Sequence, residues 1–142
     1  MIESILQFLL KNRAVTGLML TTATAFILFL TLSPSDQIGD FSIYQYDKLG
    51  HFGLFFIWTF IFGLLMLSLK KIDTHLLVIF VAGSLFGILI EILQGALPIN
   101  RTPNILDVIS DIVGTLSATL LLLILKNRYI ISGEKVLKKN KK

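Results

Sequence analysis

Seven residues that can carry charge, move protons or share several hydrogen bonds stand in or beside otherwise lipid-soluble stretches. They are Asp47, His51, Glu91, Gln94, Arg101, Asp107 and Asp111. Ionisable groups at membrane depth are costly, and they persist there with a partner or a task. Asp47 and His51 are four residues apart, as are Asp107 and Asp111, while Glu91 and Gln94 are three apart. In a helix each pair shares a face. The available chemistry is acid–base and electrostatic. Imidazole is the side chain suited to proton exchange near neutrality, so His51 is the candidate acid or base, with Glu91 as its partner. The planar fork of Arg101 suits a phosphate or carboxylate.

The elements that must position these groups are helices. The chain has 142 residues, 54% of them hydrophobic and 15% charged, with a mean hydropathy of +0.81. Soluble domains carry about 25% charged residues, so the composition points to an integral membrane protein of one domain. Four apolar runs, 14–32, 49–69, 75–97 and 105–125, have the length of about 20 residues that a helix needs to cross a bilayer. None alternates with period two, which argues against a β-barrel. The expected fold is an all-α, four-helix transmembrane bundle. A segment at 1–13 precedes the membrane domain at 14–125, and a basic tail at 126–142 follows it. Residues 1–10 place Ile2, Ile5, Leu6, Leu9 and Leu10 at helical spacing. They form either a short interfacial helix or an extension of the first span.

Basic residues orient the bundle. Lys11 and Arg13 precede the first span, Lys70 and Lys71 separate the second from the third, and seven more follow the fourth. Only Lys48 and Arg101 fall on the other side. The positive-inside rule therefore places both termini in the cytoplasm and the loops at 33–46 and 98–104 outside. The first span is read as an uncleaved anchor, and the tail as a flexible segment drawn to anionic lipid.

Depth brings the polar residues together. At 1.5 Å of rise per residue, His51 lies about 5 Å inside the outer rim, Gln94 and Glu91 about 6 and 10 Å, and Asp107 and Asp111 about 5 and 10 Å. The inner halves of the spans are nearly free of ionisable groups. Gly83 and Gly87 continue in a row to Glu91, and small residues on a row admit a neighbouring helix. The face carrying Glu91 is thus expected to be the packed one. Plainer roles compete at several positions. Asp47 could cap the second span, and Asn104 the fourth with Asp107 in its first turn. Lys48 could snorkel to the interface, and Gln94 could simply tie two helices. Trp58 is expected to pack or face lipid. Glu91 and Asp111 lie too deep for capping and need a partner such as Arg101 or a protonated His51.

Several chemistries are excluded or unsupported. There is no cysteine, hence no disulfide, thiolate nucleophile or cysteine metal site. No His-x-x-x-His or Glu-x-x-His spacing occurs, so no metal site and no cofactor are expected. No Gly-x-Ser-x-Gly elbow presents a serine. The basic residues flank apolar runs, which is topology rather than a nucleic-acid footprint.

The residues Asp47-Lys48-Leu49-Gly50-His51-Phe52 resemble the Asp-Lys-x-x-His-Phe start of a helix in VanZ-like proteins. Glu91-Ile92-Leu93-Gln94, followed by Pro98 and Arg101, resembles their Glu-x-x-Gln and its loop. Asp107, Asp111 and Gly114 resemble their Asp-x-x-x-Asn-x-x-Gly, with Asp111 standing where the pattern has Asn. The resemblance covers 47–114. It implies a multi-pass protein of the bacterial cytoplasmic membrane, in a family whose namesake is associated with teicoplanin resistance. It also implies Asp47, Lys48, His51, Glu91, Gln94, Arg101, Asp107 and Asp111 as ligand-binding positions. The leading expectation is a polar pocket in the outer leaflet that binds an anionic lipid or cell-wall precursor and affects glycopeptide susceptibility. An intramembrane enzyme acting on a lipid-linked envelope substrate, using His51 and Glu91, is the alternative. A small proton- or ion-coupled transporter comes third.

Overall fold

The computed structural model describes residues 2–33, 47–70, 75–99 and 102–131. They form α1 (Ile2–Lys11), α2 (Arg13–Leu32), α3 (Asp47–Lys70), α4 (Leu76–Ala96) and α5 (Ile105–Leu125), and no strand occurs among them. α2 to α5 are each long and apolar enough to cross a membrane. The all-α, four-span expectation is met. The loop at 34–46, the basic pair Lys70–Lys71 apart from the helical backbone of Lys70, Arg101 and the tail beyond 131 lie outside what can be described.

The helix ends follow from local chemistry. Asn104 keeps an extended backbone, and its side chain accepts the Leu106 N–H at 3.0 Å, the expected cap on α5. α3 starts two residues before the apolar run, so Asp47 and Lys48 belong to its first turn. Proline at 98 follows α4, whose last carbonyls are met when Leu97 N–H donates to Leu93. α5 continues past Leu125 as a wider π-helical turn, Lys126–Ile131, so the start of the tail is helical.

The N-terminal segment is a helix of its own. Asn12, at φ −102° and ψ 74°, breaks it from α2. The Asn12 amide donates to the Phe8 carbonyl at 2.8 Å, and the Thr16 hydroxyl donates back to Leu9 at 2.8 Å. Leu6, 5% exposed, packs with Leu64 and Leu67 of α3, Ile79 of α4 and Leu122 of α5. α1 is therefore docked on the bundle and closes the apolar end of the core. A second cluster joins Ile27 of α2, Phe55 and Trp58 of α3 and Ile90 of α4. Trp58 stacks on Phe62 and lies 4.7 Å from the Phe86 ring centroid. Its indole N–H donates to Thr24 on α2 at 2.8 Å, so this residue packs instead of facing lipid. The outward faces carry leucine, isoleucine, valine and phenylalanine, as lipid contact requires.

Small residues set how near the helices come. A Cβ built on Gly114 of α5 would run into the Phe52 carbonyl and the Phe56 amide of α3. On α4, a Cβ at Gly83 would lie 2.7 Å from both Thr115 and Thr59, and one at Gly87 would lie 2.9 Å from the Asp111 side chain. The row Gly83–Gly87–Glu91 is the packed face, as its spacing predicts. The obstacle at Gly114 is backbone and cannot rotate away.

Gly114→Ala is expected to destabilise the detergent-solubilised protein by about 1–3 kcal/mol through overpacking. Gly50→Ala and Gly53→Ala, where an added Cβ meets nothing within 4 Å, should be neutral or stabilising by up to about 1 kcal/mol. Thermal unfolding followed by circular dichroism checks the contrast; equal effects at Gly114 and Gly50 would refute this account of the α3–α5 approach.

Candidate functional site

Antiparallel order places the C-terminal ends of α2 and α4 beside the N-terminal ends of α3 and α5, and the polar side chains gather at that end. Three i, i+4 rows converge there. Asp47, His51, Phe55 and Thr59 run down α3; Asp107, Asp111, Thr115 and Thr119 run down α5; Gly83, Gly87 and Glu91 run up α4. The glycines let α5 carry a carboxylate against α4 where a larger residue would clash.

His51 and Asp111 form the centre. His51 Nδ1 lies 2.9 Å from Asp111 Oδ1, with both residues buried and Asp111 0% exposed. The bond joins α3 to α5. Of the two acids for which His51 was an expected partner, Asp111 takes the imidazole and Glu91 does not bond to it. Glu91 is buried and takes its hydrogen bond from the backbone, as the Asn104 N–H donates to Oε2 at 2.8 Å. Pro103 makes this bond possible by settling on Gly95: a Cβ there would lie 2.5 Å from the proline ring. The segment before α5 thus folds over the end of α4 and brings an amide to the Glu91 carboxylate.

Nearer the rim, Lys48 Nζ pairs with Asp107 Oδ1 at 3.3 Å. The lysine side chain is 47% exposed and the aspartate 10%, so the pair contributes on the order of 0–1 kcal/mol. Asp107 also serves in the first turn of α5, where its charge suits the helix dipole. Asp47 is half-buried in the first turn of α3. One ligand-type atom from each of Asp47, His51 and Asp107 falls within 4.8 Å of the others. Gln94 is buried, and its amide donates to the Thr31 carbonyl of α2 at 3.0 Å, which ties α4 to α2. Arg101 lies outside the described residues.

Below the acids lies a layer of hydroxyls that spacing alone did not single out. Thr59 donates to Thr115 across α3 and α5 at 3.2 Å, and Ser84 Oγ is buried without a hydrogen-bond partner among the described residues. The signal for the threonines was present as the i+4 continuation of His51 through Phe55 and of Asp111. Two carboxylate oxygens, Glu91 Oε1 and Asp111 Oδ2, are likewise buried with no hydrogen-bond partner among the described residues. A buried acceptor without a donor costs about 1–3 kcal/mol. Such atoms mark where a hydroxyl, amine or cation would be stabilised.

A family model described as VanZ/LLP1 matches residues 4–126, from α1 to the first residue beyond α5. It extends well beyond the motif-bearing stretch 47–114 on both sides. No curated protein and no solved structure matches the chain.

Removing the carboxylate of Glu91 should orphan the Asn104 amide. Glu91→Ala is expected to lower stability by about 1–3 kcal/mol, whereas Glu91→Gln, which keeps an acceptor oxygen, should lose less than half of that. Thermal melts of the purified variants in one detergent test this. Equal losses would mean that the bond to Asn104 does not fix the start of α5.

Proposed function

The chain belongs to the VanZ/LLP1 family, and on that premise we propose that this multi-pass membrane protein binds the headgroup of an anionic lipid or lipid-linked cell-wall precursor at its polar end. The observation that carries the reading is two buried carboxylate oxygens without a partner among the described residues, Glu91 Oε1 and Asp111 Oδ2, at the end of the bundle that also carries the half-exposed ammonium of Lys48. A headgroup that combines phosphate with hydroxyl or amine donors matches both levels. Lys48 meets the phosphate, and Arg101, whose guanidinium suits the same group, is the second cation this reading assigns to it. Glu91 and Asp111 accept from the donors deeper in. Gln94 and Asp107 hold the surrounding helices in register. The distribution of basic residues supports reading this end as the outer face of a bacterial cytoplasmic membrane, where such precursors are exposed. An effect on glycopeptide susceptibility would follow from sequestering or presenting a precursor there.

One observation favours a second reading, an intramembrane enzyme on the same class of substrate. A buried imidazole held through Nδ1 by a carboxylate, as His51 is by Asp111, has its tautomer and orientation fixed. Its second nitrogen is then the one available to exchange a proton with substrate. In that reading His51 is the acid or base and Asp111 the orienting group, with Glu91 on the substrate.

Native mass spectrometry of detergent-purified protein tests the binding. The wild type should retain anionic lipid, and Lys48→Ala together with Arg101→Ala should reduce retention at least tenfold at unchanged yield and melting temperature. Retention unaffected by that double substitution sinks the headgroup reading. Lipid extracts from overexpressing cells separate the two readings: a new or depleted species that depends on His51 supports the enzyme, and an unchanged profile supports binding.

A further inference from the structure

The polar end gathers four carboxyl groups, Asp47, Glu91, Asp107 and Asp111, against one ammonium and one imidazole among the described residues. That balance suits a cation better than a bare anion. Within the group, one ring nitrogen of His51 and one carboxylate oxygen each from Asp47 and Asp107 all lie within 4.8 Å of one another. His51 and Asp107 are buried, and Asp47 is half-buried. From these contacts we propose that Asp47, His51 and Asp107 bind a divalent transition-metal cation of the zinc or manganese type.

The donor set fits that class. Imidazole suits zinc and its neighbours, and carboxylates suit harder divalent ions, so one nitrogen and two oxygens select an ion between these extremes. Ligands about 2.1 Å from a tetrahedral zinc stand about 3.4 Å apart. The donors lie within 4.8 Å of one another, so on this proposal side-chain rotation on binding draws them together. The outer arrangement is also that of a metal site. A ligating histidine commonly gives its other ring nitrogen to a carboxylate, which fixes the tautomer and raises its basicity. His51 has that carboxylate in Asp111, at 2.9 Å from Nδ1, which leaves Nε2 for the ion. Asp111 is not one of the three proposed ligands, and it and Glu91 each keep a buried oxygen with no donor among the described residues. The group forms across α3 and α5, which explains why no spacing within one helix announces it.

Lys48 occupies an Asp107 oxygen at 3.3 Å and competes with the ion as a tethered cation. Its half-exposed side chain can leave toward solvent. Three protein ligands leave coordination positions open. The ion would present these to a phosphate oxygen of the headgroup, which reconciles an anionic ligand with an acidic site; this last link rests on the headgroup reading, and the metal site itself does not.

Isothermal titration of chelator-treated full-length protein in detergent with Zn²⁺ tests the site, with Co²⁺ absorption as a spectroscopic check. One saturable site per chain is expected, with ligand-field bands for Co²⁺. His51→Ala should abolish both signals, while His75→Ala, at the exposed histidine before α4, should leave them unchanged. Asp111→Asn should weaken binding roughly 10- to 100-fold by altering the orientation and basicity of His51. Asp47→Asn guards against misfolding of the buried variants, since its side chain is half-buried; it should lower affinity while the melting temperature holds. Lys48→Met should tighten binding. No saturable uptake by folded wild type, or uptake that survives both His51→Ala and Asp47→Asn, overturns the proposal. Anionic lipid retained by protein that takes up no zinc overturns the metal site and leaves the headgroup reading standing. Zinc uptake by protein that retains no such lipid does the reverse.

Discussion

The arrangement turns on the contact between His51 and Asp111. A carboxyl group with no exposed surface, placed among apolar helices, needs a partner that supplies a hydrogen bond without water. The partner here is an imidazole from another helix, 2.9 Å away. The bond requires α3 and α5 to lie almost backbone to backbone, which only Gly114 permits, and α4 to yield room for the Asp111 side chain, which only Gly87 permits. The glycines and the acid–imidazole pair are therefore one device. Enlarging either glycine moves the helices apart, and deleting either polar group leaves the other stranded.

Polarity is sorted along the bundle axis. Ionisable groups occupy the end shared by the starts of α3 and α5. Next comes the hydroxyl pair of Thr59 and Thr115, and then the leucine and isoleucine cluster around Leu6. Hydroxyls are suited to the intermediate level because a helix can satisfy them internally. Thr21, Thr24, Thr31, Ser117 and Thr119 each donate to the carbonyl four residues earlier. Carboxylates have no such recourse, since the helical carbonyls around them only accept. This difference in hydrogen-bonding capacity is why Glu91 reaches out to the Asn104 amide while Thr21, Thr24, Thr31 and Thr119 bond within their own helices.

Much of this was legible from residue order. Apolar run length located α2, α4 and α5 to within a residue or so. The i, i+4 spacings put Asp47 with His51 and Asp107 with Asp111 on shared faces, and the glycine row marked the packed side of α4. Asn104 read as a cap and is one, and Gln94 does tie two helices. The sequence offered His51 to both Glu91 and Asp111 but could not choose between them. Spacing along a helix says which residues share a face but not how far each helix is rotated about its axis, and that rotation selects Asp111 over Glu91 for His51. The partner of Glu91 is a backbone amide, which every residue but proline carries and no side-chain pattern can flag. The break at Asn12 was hidden because the apolar spacing of α1 runs into that of α2. Which end faces outward rests on the distribution of basic residues, not on the packing.

Leu6 deserves a last comparison with its surroundings. By lodging among Leu64, Leu67, Ile79 and Leu122, the N-terminal helix adds hydrocarbon to the end of the bundle away from the acids. A charged passenger travelling the full axis would have to shed its hydration shell over several helical turns of hydrocarbon, an expense of tens of kcal/mol by the Born estimate. A polar group seated at the acidic end is therefore separated from the opposite end of the described helices by the packed hydrocarbon around Leu6.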